Sequence, residues 1–347
     1  MEAAIERLAG ALWGPWTAAV MLSAGLWIMA GTGFMPFRHF RAVWRGTLGS
    51  ILRKSDKTGG VTPFQSLTTA LAGTMGTGNL VGVAAALAVG GPGAVFWLWV
   101  SALFGMMTKY AEIVLALRFR EKSSRGEYLG GPMYILRNGL RSPVLAKLYA
   151  ALCLFAALGM GGAVQSGTMA GALGGLVPDT RYVGTFAALA VGLVLVGGVR
   201  RLAGLTELLM PLFSCLYAAA ALLVVALHAR ALPGVFADIF ADAFTGTAAA
   251  GGFAGATMAA ALRSGMSRGV FSHEAGLGTA SMAHSLSDAA HPVQQGLWGI
   301  AEVFVDSIVG CTATARRKSY SRFRRRCTAG PARRSPASQW CSRIRAY

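Results

Sequence analysis

Charge is scarce in this chain. Of its 347 residues 13% are Asp, Glu, Lys or Arg, 54% are hydrophobic, and the mean hydropathy is +0.52. Soluble domains average about 25% charged residues, so a soluble protein of this size would leave much apolar surface in water. A bilayer is the natural solvent. Acid is scarcer still, with 14 Asp and Glu against 32 Lys and Arg. That excess does not describe a nucleic-acid surface. Residues 316–347 hold eleven Arg and Lys and no acid, and the rest of the chain keeps 21 basic and 14 acidic residues. The five cysteines, Cys153, Cys215, Cys311, Cys327 and Cys341, include no Cys-x-x-Cys pair, so they read as packing residues rather than a redox or zinc motif. No Gly-Lys-Ser/Thr occurs, and Gly76-x-Gly78 meets Val81 where a dinucleotide fingerprint needs its third Gly. His273-Glu274 is followed by Leu277 where a zinc-protease helix needs its second His. Gly265-Met-Ser267-Arg-Gly269 spells a nucleophile elbow but follows a membrane span, not a strand. The start, Met1-Glu2-Ala3-Ala4-Ile5-Glu6-Arg7, lacks the basic region of a cleaved signal and reads as mature protein.

What the chain has instead is apolar length. Eight runs approach the ~20 residues that a spanning helix needs: 14–34, 64–89, 94–117, 148–172, 183–199, 205–228, 241–262 and 296–315. Trp13, Trp16, Trp97 and Trp99 lie near the ends of the first and third, where an aromatic belt belongs. The segments 36–61, 118–147, 200–204 and 263–295 carry 17 Arg and Lys, while 1–13, 90–93, 173–182 and 229–240 carry 3. That asymmetry places the first set in the cytoplasm and the N-terminus outside.

Two runs contain text that makes poor helix. Gly73-Thr74-Met75-Gly76-Thr77-Gly78-Asn79 interrupts the second, and Gly246-Thr247 followed by Gly251-Gly252-Phe253-Ala254-Gly255-Ala256-Thr257 interrupts the seventh. Gly costs about 1 kcal/mol against Ala in a helix. Inside a membrane such a break survives where it lines a cavity or is buried in protein, because it frees N–H and C=O groups at mid-depth. Matching breaks in two halves of a chain are the sequence pointer to a transporter's binding site. The competing reading is tight helix packing of the small-xxx-small type, as in Gly78-x-x-x-Gly82.

Charges inside the spans are few. Glu302 and Asp306, four apart in the eighth run, share one helix face and should look into the protein. They read either as part of a cation route or as structural partners, for instance of Lys109. Lys109 and Glu112, three apart near the end of the third run, are expected to pair with each other or snorkel to the interface.

Several stretches resemble the alanine or glycine:cation symporter family. They are Gly73 to Asn79; Gly90-Gly-Pro-Gly-Ala-Val-Phe-Trp-Leu-Trp99; Phe104-Gly-Met-Met-Thr-Lys-Tyr-Ala-Glu112; Gly130-Gly-Pro-Met-Tyr134; Arg268-Gly-Val-Phe-Ser-His-Glu-Ala-Gly-Leu-Gly278; and His291-Pro-Val-Gln-Gln-Gly-Leu-Trp298. The resemblance covers roughly 14–314. His273 stands where the family usually has Asn. The resemblance implies an all-α polytopic membrane protein of the bacterial inner membrane, built as a leucine-transporter-like inverted-repeat bundle with one extra N-terminal helix. Eleven spans are then expected, so with eight the second repeat is incomplete and lacks a helix of the shared sodium site. The implied activity is Na⁺-coupled symport of a small neutral amino acid, alanine or glycine, by alternating access, with no enzymatic chemistry and no cofactor beyond Na⁺ as coupling ion. H⁺ coupling is the nearest variant. The implied substrate site is Thr74, Gly76, Thr77, Gly78, Asn79, Gln165, Gly251, Gly252, Phe253, Gly255 and Thr257, and the implied Na⁺ residues are Gly73, Thr74 and Gly76. Its partners are the amino acid, Na⁺ and lipid, without nucleic acid.

The composition changes abruptly after Thr314. A transporter domain, 1–315, is followed by a basic tail, 316–347, which would lie on the outer face against the charge rule. A genuine tail, a re-entrant end and a frameshifted reading frame are the three readings, and the lack of acid and periodicity favours the last. Two alternative functions follow: an inactive truncated remnant, or a membrane protein that binds substrate without transporting it.

Overall fold

The computed structural model describes residues 15–47, 49, 61–76, 78–124, 126–173, 177, 179–227, 229–245 and 258–312. The basic tail lies outside the described residues. The chain runs α1 (Pro15–Gly31), α2 (Phe40–Gly46), α3 (Pro63–Thr74), α4 (Val83–Gly90), α5 (Gly93–Arg118), α6 (Pro143–Ala156), α7 (Gln165–Leu173), α8 (Thr180–Val196), α9 (Gly198–Leu227), α10 (Leu232–Thr245), α11 (Met258–His273), α12 (Thr279–Ser285) and α13 (Pro292–Val303). Wider, π-helical segments continue several of these: Gly78–Gly82 leads into α4, Ala157–Val164 joins α6 to α7, and Phe304–Cys311 extends α13. The sheet among the described residues is one two-stranded antiparallel hairpin, β1 (Glu121–Lys122) and β2 (Tyr128–Leu129).

Proline marks several starts. Pro63, Pro143 and Pro292 open α3, α6 and α13, where the missing N–H costs nothing. Thr62 completes a capping box ahead of α3: its hydroxyl accepts from the Gln65 N–H at 3.2 Å, and the Gln65 side chain accepts from the Thr62 N–H at 2.9 Å. The N-terminus of α5 is held from α10, where Asp242 accepts from the Gly93 N–H at 2.9 Å, an anion at the positive end of the helix.

Helix α5 is the centre of the structure and packs against α1, α10, α11 and α13. Met29 of α1, Val43 of α2, Ala102, Met106 and Met107 of α5, and Ile300 and Val303 of α13 form its largest buried cluster. The approach of α11 to α5 depends on glycine. A Cβ on Gly265 would lie 2.2 Å from the Ala94 carbonyl oxygen, and one on Gly269 would lie 2.7 Å from Ser101 Oγ. The Gly265-x-x-x-Gly269 string therefore serves backbone contact between membrane helices. The other candidate, Gly78-x-x-x-Gly82, does less, since a Cβ on Gly82 meets only Arg268 Cδ at 3.7 Å.

Among the described residues, three helical stretches are long and apolar enough to cross a membrane: Gly93–Arg118, Pro143–Leu173 and Gly198–Leu227; Trp16–Gly31 and Arg181–Val196 are shorter apolar helices. Phe155, Phe186, Leu193, Leu208 and Leu222 stand exposed on the outer helices, as hydrocarbon allows and water does not. The described parts of the other expected runs also fall on helix, apart from the break after Thr74, but two boundaries differ. Arg200 and Arg201 belong to α9, not to a loop, because Gly197 and Gly198, the latter at φ +72°, make the turn between α8 and α9. The expected cytoplasmic segment 263–295 begins as helix, since α11 continues to His273. Arg263, Ser264, Arg268 and Ser272 lower its hydropathy, yet Met266, Val270, Ser272 and His273 are buried in protein.

Candidate functional site

The first expected break is present. Helix α3 ends at Thr74, Met75 leaves helical geometry at φ −74° and ψ 90°, and helical backbone resumes in the π-helical turn from Gly78. At this break the Gln165 amide lies against Gly76. A Cβ on Gly76 would come 2.8 Å from Gln165 Nε2 and 3.0 Å from Oε1. Only glycine lets the amide this close to the backbone, and two residues singled out 89 positions apart in sequence are thereby brought together. Thr74 is buried and its hydroxyl turns back to the Ala70 carbonyl at 3.4 Å. Gly73 faces open space. Thr77 lies outside the described residues, as do Gly251, Gly252, Phe253, Gly255 and Thr257; they fall between the end of α10 at Thr245 and the start of α11 at Met258.

Asn79 is buried beside the break and directed at the eighth span. Its Nδ2 donates to Asp306 Oδ1 at 2.7 Å and to the Asp306 carbonyl at 3.2 Å. The Ser272 hydroxyl lies 2.7 Å from Asp306 Oδ2 and 2.9 Å from Asn79 Oδ1, and Ser307 Oγ donates to Asp306 Oδ2 at 2.9 Å. Ser272 and Ser307 were not marked by the sequence reading. A serine in an apolar helix most often bonds its own backbone, and only the fold shows these two converging on one carboxylate.

A second buried network begins one turn earlier. Lys109 Nζ lies 3.2 Å from Glu302 Oε1, with both side chains shielded from solvent. Glu302 Oε2 accepts from His284 Nε2 at 3.0 Å. His284 Nδ1 accepts from Gln295 Nε2 at 2.7 Å, and Gln295 Oε1 accepts from Ser287 Oγ at 3.0 Å. These contacts correct the expectation for Lys109. It neither snorkels nor pairs with Glu112 but crosses to Glu302. Glu112 instead accepts from the Gly276 N–H at 2.7 Å. His273 is buried at the end of α11, with Nδ1 accepting from the Ala275 N–H at 3.0 Å and Nε2 against Ser101 Oγ at 3.1 Å. That leaves the proton on Nε2 and the ring neutral. Gly105 makes room for it, since a Cβ there would lie 2.7 Å from His273 Cε1. Glu302 and Asp306 both look inward, as expected of one face, yet they belong to different networks.

An interrupted helix with an amide laid on the break, a buried carboxylate network beside it, and an apolar exterior describe a membrane carrier. Residues 1–323 match the sodium:alanine symporter family, and the chain belongs to it. That family consists of secondary transporters, not enzymes. Among its relatives, the chain is 41% identical over 312 residues to the uncharacterized transporter YflA of Bacillus subtilis, covering 90% of this chain and 66% of that protein. It is 38% identical over 310 residues to the sodium/alanine symporter AgcS of Methanococcus maripaludis, covering 87% and 67%. It is 33% identical over 312 residues to the putative sodium/proton-dependent alanine carrier protein YrbD of Bacillus subtilis, covering 90% and 63%. The chain thus spans about two thirds of the length of the relatives it matches. It is a multi-pass membrane protein of sodium/alanine-type symport kinship.

Proposed function

We propose that this chain carries a small neutral amino acid, alanine or glycine, across the bacterial inner membrane together with Na⁺. The observation that carries this reading is the Gln165 amide lying on Gly76 at the break between α3 and α4. A break there leaves backbone N–H groups at the start of the second half-helix and carbonyls at the end of the first. The former suit a carboxylate and the latter a cation. The amide supplies a further donor and acceptor at the same place. The proposed substrate residues are Thr74, Gly76, Thr77, Gly78, Asn79 and Gln165, with Gly251, Gly252, Phe253, Gly255 and Thr257 of the second glycine-rich stretch. Na⁺ is held among the carbonyls and hydroxyl of Gly73, Thr74 and Gly76. Alanine and sodium in the names of AgcS and YrbD support the choice of solute and ion.

The fold we propose is the leucine-transporter-like bundle with a leading helix, in which α3–α4 and α10–α11 are the two interrupted helices. Its support is the interruption at Met75 and the second Gly- and Thr-rich stretch of the sequence, 246–257, which lies between α10 and α11. Rocking of one helix group against another would open the site alternately to each side, with the N-terminus outside as the Lys and Arg distribution requires.

The test is uptake of labelled alanine into proteoliposomes by the wild type and by Gln165→Ala. Removing the amide should raise the KM for alanine about tenfold or more, as expected for a lost hydrogen bond to a charged group. Alanine binding without uptake would contradict the transport reading, and an unchanged KM would remove Gln165 from the site.

A further inference from the structure

Directly after α1 the chain carries a surface that the substrate site does not use. Gly33 and Phe34, at φ +64° and +56°, stop the helical path of α1, and two short helical stretches follow, Met35–Arg38 and α2. Their side chains fall into three sets. Pro36, Val43 and Thr47 are buried against the protein. Phe37, Phe40 and Trp44 are 58%, 53% and 44% exposed. Arg38, Arg41 and Arg45 are exposed as well. The second and third sets each repeat at intervals of three and four residues, the spacing of one helix face. Phe37, Arg38, His39, Phe40, Arg41 and Arg45 line one open recess of about 640 Å³.

The protein itself supplies nothing to balance this charge. From Gly31 to Ser55 the sequence holds five Arg and Lys and no Asp or Glu. Among the described residues no carboxylate forms an ion pair with Arg38, Arg41 or Arg45. Guanidinium groups on a shared recess call for an anion, and their planar fork matches a pair of phosphate oxygens. The exposed rings beside them call for the boundary between headgroups and hydrocarbon, where aromatic side chains collect. A phosphate headgroup attached to acyl chains meets both demands. A second copy of this chain does not, since a twofold contact through the same patch would set arginine against arginine. The position agrees, because α1 exposes Trp16, Val20 and Trp27 as a helix in lipid would.

We infer that Arg38, Arg41 and Arg45, with Phe37, Phe40 and Trp44, form an interfacial surface that binds the headgroup of an anionic phospholipid. In the orientation proposed above it lies at the cytoplasmic leaflet, whose anionic lipids attract basic segments next to a span. The binding itself depends neither on that orientation nor on transport, and is tested without them. The same element reaches the core. Val43 packs with Met29 and Ile300, and the Trp44 ring meets Phe304 edge to face at 6.3 Å. A lipid held here therefore braces α1 and α13 through α2.

The purified chain in detergent is titrated with brominated phosphatidylglycerol or brominated phosphatidylcholine, and quenching of Trp44 is isolated by difference from Trp44→Phe. Phosphatidylglycerol should quench at the lower concentration, and added salt should weaken that preference. Arg38→Gln/Arg41→Gln/Arg45→Gln should raise the half-maximal phosphatidylglycerol concentration about a hundredfold, at about fivefold for each arginine. Equal quenching by the two lipids, or a preference that survives in the triple variant, refutes the surface. Millimolar inorganic phosphate should leave the quenching in place, and full displacement would make this a free-phosphate site and overturn the lipid assignment. A mass that doubles with protein concentration in the wild type alone would give the surface to a second copy and overturn it too. Should the triple variant fail to fold, Arg41→Gln and Arg45→Gln singly should each raise the half-maximal concentration about fivefold, and values equal to the wild type refute the surface.

Discussion

At Gly76 and Gln165 the geometry is tight enough for one methyl group to matter. The Cβ of Gly76→Ala would press on the amide at 2.8 Å, so this variant should lose alanine affinity, and shortening the neighbour in Gly76→Ala/Gln165→Ala should make the two losses non-additive. Isothermal titration of the four proteins closes that cycle. Lys109 and Glu302 obey a different rule. Breaking a buried pair leaves one charge without its partner, a loss of about 3–5 kcal/mol. Lys109→Met should therefore unfold in detergent at a markedly lower temperature, while Lys109→Met/Glu302→Gln should recover much of the loss. Equal stability of the single and double variants would mean that the pair does not hold the helices. The importance of Lys109 and Glu302 was legible in the sequence from their cost in an apolar run. Their pairing was one of two readings, beside a nearer partner in Glu112 for Lys109, and the structure selects the contact that spans 193 positions.

Among the elements, α5 and α11 depend on their glycines for contact. Gly265→Val would drive a branched side chain into the Ala94 carbonyl region, where overpacking costs about 1–3 kcal/mol. Lower thermal stability is expected for this variant and not for Gly167→Ala, whose Cβ position meets nothing within 4 Å. At the end of α5 the β1–β2 hairpin gives a pH-dependent contact outside the spans. Arg137 beside Glu121 holds that carboxyl below its usual range. The folded pKa is the lower one, so this contact favours the folded hairpin above the unfolded carboxylate pKa and is lost as pH falls through the depressed value. Both side chains are about half exposed, so the effect is small, and hydrogen-exchange protection of the segment around Glu121 and Arg137, corrected for the intrinsic rate at each pH, should fall in acid without a change in the helical core. Helices facing lipid announced themselves by apolar length. Helix α11 did not, because one face of it is buried against protein while it carries Arg263, Arg268 and Ser272; hydropathy reports the solvent of a helix rather than its presence. The first break was legible because Gly and Thr oppose helix wherever they cluster, and the second falls in residues 246–257, outside the described part of the chain.

For the whole molecule the central claim is coupling: the amino acid moves because Na⁺ does. Proteoliposomes containing the chain are loaded with choline chloride and diluted into labelled alanine with either NaCl or choline chloride outside. Accumulation above equilibrium with NaCl outside, abolished in choline or by a Na⁺ ionophore, is the expected result. Uptake that is equal in both salts, or that never exceeds equilibrium, would contradict Na⁺-coupled symport by this chain.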